Sequence, residues 1–72
     1  MTTTITAVPK FVLYTAKDYA VLKCKLEDGS AVTVVGNVPD TINLKMFYSG
    51  SWETSKYGKQ FHALTYEAAR PT

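Results

Sequence analysis

One histidine, one cysteine and six acidic residues are the groups in this chain suited to acid–base, nucleophilic or metal chemistry. Their placement argues against all three. His62 falls on the outward side of the last alternating run, with no carboxylate locally spaced to orient it. Cys24 falls on the inward, aliphatic side of an earlier run, and a Cys–His nucleophilic pair needs both groups on one surface. A single cysteine excludes an internal disulfide and a cysteine-rich zinc site; on an aliphatic face it behaves as a small hydrophobe. The acidic residues sit mostly in turns and make no convincing acid/base pair. Gly29, Gly36, Gly50 and Gly58 are isolated turn or bulge glycines and build no phosphate-cradling loop. The expectation is a chain without intrinsic catalysis, metal or cofactor.

The lysines and aromatics offer a different chemistry. Proteins that hold single-stranded nucleic acid combine a basic groove with aromatic platforms on which bases stack, each stack worth roughly 1–3 kcal/mol. Lys17, Tyr19, Lys23 and Lys25 come from one stretch, and Lys56, Tyr57 and Lys59 from another; Thr33 and Val35 join them on the same outward face. These seven basic and aromatic residues are the candidate nucleic-acid contacts. The competing reading makes the lysines a solvated surface and leaves Tyr14, Phe47 and Tyr66 as an outward apolar patch that docks another protein domain. A formal charge of +2 does not decide between them. Trp52 shares a face with Met46 and Tyr48 and reads as core.

The elements that must position these residues follow a period of two. From Tyr19 to Glu27, Ala20, Leu22, Cys24 and Leu26 fall on one face and Tyr19, Val21, Lys23 and Lys25 on the other, the pattern of a half-buried strand. Glu27-Asp28-Gly29-Ser30 then reads as a two-residue type I′ turn, and Ala31–Gly36 as the return strand of a hairpin. Before it, Val8–Thr15 is a strand with Phe11 and Leu13 inward; Pro9 lacks a donor, so that strand begins at an edge or a bulge. Residues 37–44 are too short for a good helix, although Asp40 can cap one turn. Lys45–Glu53 is a fourth strand, with a bulge or sharp coil at Gly50, and Lys59–Glu67 a fifth, with Phe61 and Ala63 inward.

Five short strands, with the longest irregular connection between the third and fourth, is the order of an all-β, five-stranded Greek-key barrel. This is the OB plan, its inter-strand helix reduced to a turn; an SH3-like barrel has the same strand count. Seventy-two residues make one domain, taken as 1–67, with 68–72 as a frayed end or the start of a linker. At this size only about 60% of the unfolded surface is buried, so every strand must contribute. With 46% apolar residues and nine aromatics the chain is not disordered. No apolar run approaches the roughly 20 residues of a membrane-spanning helix. Met1-Thr2-Thr3-Thr4-Ile5 lacks the regions of a secretory signal, giving a cytoplasmic expectation with no membrane partner.

Several segments are more specific than composition. Val12-Leu13-Tyr14, Tyr19-Ala20-Val21-Leu22-Lys23, Leu26-Glu27-Asp28-Gly29 and Val32-Thr33-Val34-Val35-Gly36-Asn37-Val38-Pro39 occur in that order. Gly50-Ser51-Trp52 and Lys56-Tyr57-Gly58-Lys59-Gln60-Phe61 follow. Together they resemble the opening OB-like domain of the RecD-like ATP-dependent DNA helicases, over about Val12 to Tyr66. Thr54-Ser55 stands where that family usually has His-Pro. The resemblance implies an accessory domain of a 5′-to-3′ helicase acting in DNA repair or recombination. Its partners would be single-stranded DNA, the motor domains in cis, or another protein. ATP and Mg would belong to the motor, whose Walker motifs this chain lacks.

Overall fold

The computed structural model describes residues 2–55 and 58–69. It contains β1 (Thr3–Ala16), β2 (Tyr19–Leu26), β3 (Ala31–Gly36), β4 (Met46–Ser55) and β5 (Gly58–Ala68). The strands close into a barrel in the order β1-β2-β3-β5-β4, with β4 returning to β1. All pairs are antiparallel except β3–β5, which is parallel. The irregular stretch between β3 and β4 allows this order: it carries the chain across the barrel end, so β4 lands beside β1 and β5 fills the gap left next to β3. A meander cannot make that parallel pair; the Greek-key plan does. The expected helical turn at Asp40 does not form. Asn43 instead adopts φ 63° and donates its N–H to the Pro9 carbonyl at 2.7 Å, fastening the loop to β1.

Alternation delivers the core where β2, β3 and β5 were expected to supply it. Ala20, Leu22, Cys24, Val32, Val34, Phe61 and Ala63 are buried, together with Ala7, Met46 and Tyr48. The β4–β5 register slips at Gly50, but the extra residue belongs to the facing strand: Ser49 pairs with Thr65 and Gly50 with Ala63, leaving Leu64 of β5 as the bulge.

β1 departs from its expected pattern. It starts earlier, and its inward residues are Ala7 and Pro9, not Phe11 and Leu13. Pro9 cannot donate to the ladder, and the register slips between Pro9 and Phe11, leaving Lys10 as an extra residue. One extra residue reverses the alternation, so Phe11 emerges 64% exposed. A second slip, between Val12 and Tyr14, bends the strand again. β4 pairs with β1 only over Thr3–Ala7. Beyond it, Phe11–Ala16 pair with β2 on one side, and their other edge is unpaired among the described residues.

The β2–β3 turn also differs. Gly29 alone has positive φ, its N–H bonds the Leu26 carbonyl at 3.0 Å, and the Leu26 N–H donates to the Ser30 carbonyl at 2.8 Å. That is a three-residue loop closed by a glycine bulge, not a type I′ turn. The Asp28 carboxylate accepts the Ser30 N–H at 2.9 Å and the Ser30 hydroxyl at 2.6 Å. This Asx arrangement holds Asp28 on the ordinary side of φ, and the hydroxyl bond, then the amide, draws the Asp28 carboxyl below its usual pKa.

In the core, the Tyr48 hydroxyl is buried without a well-formed hydrogen bond; the Cys24 thiol is its polar neighbour. Burial pushes the thiol up to about 11, the Tyr48 contact partly opposing, and burial pushes Tyr48 upward too. The unfolded chain therefore releases the thiol proton near its ordinary value of 9.0 while the folded chain keeps it to about 11. Stability should be constant below the lower value and fall across that window, by about 2–3 kcal/mol from the thiol alone. Urea titrations at stepped pH would show it. Cys24→Ala should remove most of the fall at the lower end of the window, before tyrosine titrates; an unchanged slope would refute the assignment.

Candidate nucleic-acid interface

Strand register determines which candidates meet. On the outer surface of the sheet, Phe11, Lys23, Thr33 and Gln60 form one row across β1, β2, β3 and β5; Tyr14, Val21, Val35 and His62 form the next. Val35 points outward as expected but is only 4% exposed. It lies outside the inner core cluster and shares a cleft with Leu13, Tyr19 and Val21, so the groove has an apolar, covered floor.

That cleft, of about 360 Å³, brings Tyr19 of β2 and Lys59 of β5 together over Val35, with Thr33 and Gln60 as neutral hydrogen-bonding groups. Lys17 lines an adjoining depression of about 230 Å³ that has Tyr19 as a common wall. Lys23 and Lys25, expected in the same groove, line a different cleft of about 470 Å³ with Lys10, Phe11 and Asn43. Lys56 and Tyr57 lie outside the described residues. The seven candidates thus divide: Tyr19 and Lys59 together, Lys17 beside them, Lys23 and Lys25 apart.

The aromatics around the groove are arranged by the same pairing. Tyr14 and Tyr19 approach at 6.5 Å between ring centroids, tilted by 60°. Trp52 is 37% exposed, less buried than its face suggested. It meets Phe61 edge-on at 5.1 Å, and Lys59 Nζ stands 4.7 Å over its ring. The buried Phe61 ring thus packs against the indole while the cation covers a face, an attraction worth roughly 0.5–1 kcal/mol at an exposed site. Local patterning could not show this, because Trp52 lies near the barrel's open end.

His62 has a carboxylate partner that local spacing did not reveal. Its Nδ1 lies 2.7 Å from Glu53 Oε1 across β4–β5, close without a well-formed hydrogen bond. Both side chains are partly exposed, and Cys24 lies inside the barrel, so the pair makes no nucleophilic site with it. Lys45 and Glu27 form another exposed pair at 3.1 Å, of the kind that contributes about 0–1 kcal/mol. No cluster of three metal-ligating side chains occurs among the described residues, and no described helix is long and apolar enough to cross a membrane.

A closed five-stranded barrel in this strand order, with a cleft over β2 and β3 next to the β4–β5 end, is an OB-fold domain. Neither a curated protein nor a solved structure matches the chain significantly. A family's sequence model does, over residues 2–71, and the chain belongs to that family: the OB-fold domain of the ATP-dependent DNA helicase YrrC. The helicase OB domain expected from the run Val12-Leu13-Tyr14 through Gln60-Phe61 is therefore what this chain is.

Proposed function

We propose that this barrel is a non-catalytic module of a RecD-like 5′-to-3′ helicase and holds single-stranded DNA across β2 and β3. One observation carries the reading: a single cleft unites an exposed tyrosine, a lysine and two neutral hydrogen-bonding side chains drawn from three strands. Tyr19 offers a face to any base, Lys59 a charge to the phosphate, and Thr33 and Gln60 hydrogen bonds. Such a site binds without sequence preference and with strong salt dependence. Strand separation and ATP hydrolysis belong to the motor.

The rival reading, docking on the motor or another protein, draws support from the exposed apolar run Phe11–Tyr14. Salt separates the two. Fluorescence anisotropy with a labelled oligothymidylate should show binding that weakens steeply as salt rises, and Tyr19→Ala should weaken it by about 1–3 kcal/mol. Absence of binding at low salt, or affinity indifferent to both salt and Tyr19, would favour docking and overturn the DNA reading.

A further inference from the structure

We propose that the cleft formed by Lys10, Phe11, Lys23, Lys25 and Asn43 is a second single-strand subsite, taking one nucleotide and its flanking phosphates. The inference rests on the single-strand reading above and extends it to a surface which that reading leaves unused.

The bulge at Lys10 is the first support. By reversing β1, it places a phenylalanine in water at 64% exposure in a domain with little core to spare. Bulges often re-aim a side chain beside a functional site. The second support is charge. Three ammonium groups line this cleft and no carboxylate does. The two ion pairs among the described residues, Lys45–Glu27 and His62–Glu53, use none of them. Lys23 and Lys25 lie on one face of β2, two residues and therefore roughly 7 Å apart along the strand, so they can meet successive phosphates of an extended chain. Asn43 adds an amide donor and acceptor at the rim, held there by its N–H bond to Pro9. A volume of about 470 Å³ holds one nucleotide.

The two clefts are neighbours on the sheet. Lys23 lines one, its register partner Thr33 lines the other, and the path from Lys25 to Tyr19 runs roughly 20 Å along β2. A strand long enough to fill both sites engages Phe11 at one end and Tyr19 at the other. The shortest oligomers reach only one.

The test is anisotropy with labelled oligothymidylates, from a dinucleotide to about 12 nucleotides, with thymidine monophosphate as competitor. Phe11→Ala should weaken the long oligomer roughly 5- to 100-fold, and Phe11→Tyr should restore it. Lys23→Ala with Lys25→Ala should lower the slope of log affinity against log salt by about 1.4. Phe11 is exposed, so circular dichroism should show an intact barrel. Binding that depends on Tyr19 but ignores Phe11 and the lysine pair would overturn this subsite alone. Monophosphate competing as well as the long oligomer would overturn it in favour of a free-nucleotide site. No binding by any oligomer would overturn both readings.

Discussion

Gly50→Ala should cost more than about 3 kcal/mol, a large share of the domain's stability. A Cβ at position 50 would lie 1.9 Å from the His62 carbonyl oxygen, 2.9 Å from its carbonyl carbon and 3.0 Å from the Ala63 Cα. All three are backbone atoms, so no side chain can swing away. Gly50 faces the β5 bulge at Leu64, β4 and β5 backbones approach closely there, and separating the strands would break the ladder that closes the barrel. Ordinary overpacking costs about 1–3 kcal/mol when side chains can adjust; here they cannot, and the cost should exceed that range. A chain of this length has a total stability on the order of 4–10 kcal/mol. Gly29→Ala is the control, because a Cβ there meets nothing within 4 Å although φ is +90°. Strain without collision should cost about 1–2 kcal/mol. Thermal melts of the two variants separate the effects; near-equal melting temperatures would show that the strands yield at Gly50.

Phe61→Ala is the second large loss, about 3–5 kcal/mol. The ring is fully buried, its strand lies between β3 and β4, and its register partners are Val34 and Trp52. Removing it opens a cavity between strands of opposite orientation, which cannot both move to fill the space. It also removes the edge contact that steadies Trp52. The lone tryptophan reports this directly: its emission should shift to the red in the folded state, while the urea midpoint falls. Phe61→Leu, which keeps most of the volume, should cost less than about 1.5 kcal/mol. An alanine variant within about 1 kcal/mol of the parent, no more than an average substitution costs, would place the ring outside the core.

Most of the barrel was legible because a period of two survives in β2, β3 and β5. Ala20, Leu22 and Cys24 could hardly face anywhere but inward while Lys23 and Lys25 shared their strand. The closure was legible from the length of the stretch before Met46. Phe11 was misread because one inserted residue inverts the side chains after it, here until the second slip restores the phase before Tyr14. Pro9 announced that a bulge was near without saying which residue it would expel. Asp28-Gly29 fits two hairpin turns equally well, and the side-chain bond to Ser30 made the choice. The division of the lysines between two clefts was invisible for a deeper reason. Which residue of β2 faces which residue of β1 and β3 is a matter of register across the sheet, and so is the meeting of His62 with Glu53.

The β1 edge left unpaired among the described residues bears on how the protein behaves in company. Phe11–Ala16 expose a ladder of open donors and acceptors flanked by apolar side chains, the template on which a second chain could polymerise. Lys10 and Lys17 bracket it. If two copies aligned these edges head to tail, each Lys10 would approach the other copy's Lys17, and like charges would repel at both ends. Two ammonium groups thus oppose that edge-to-edge pairing, and concentrated salt that screens them should weaken the opposition.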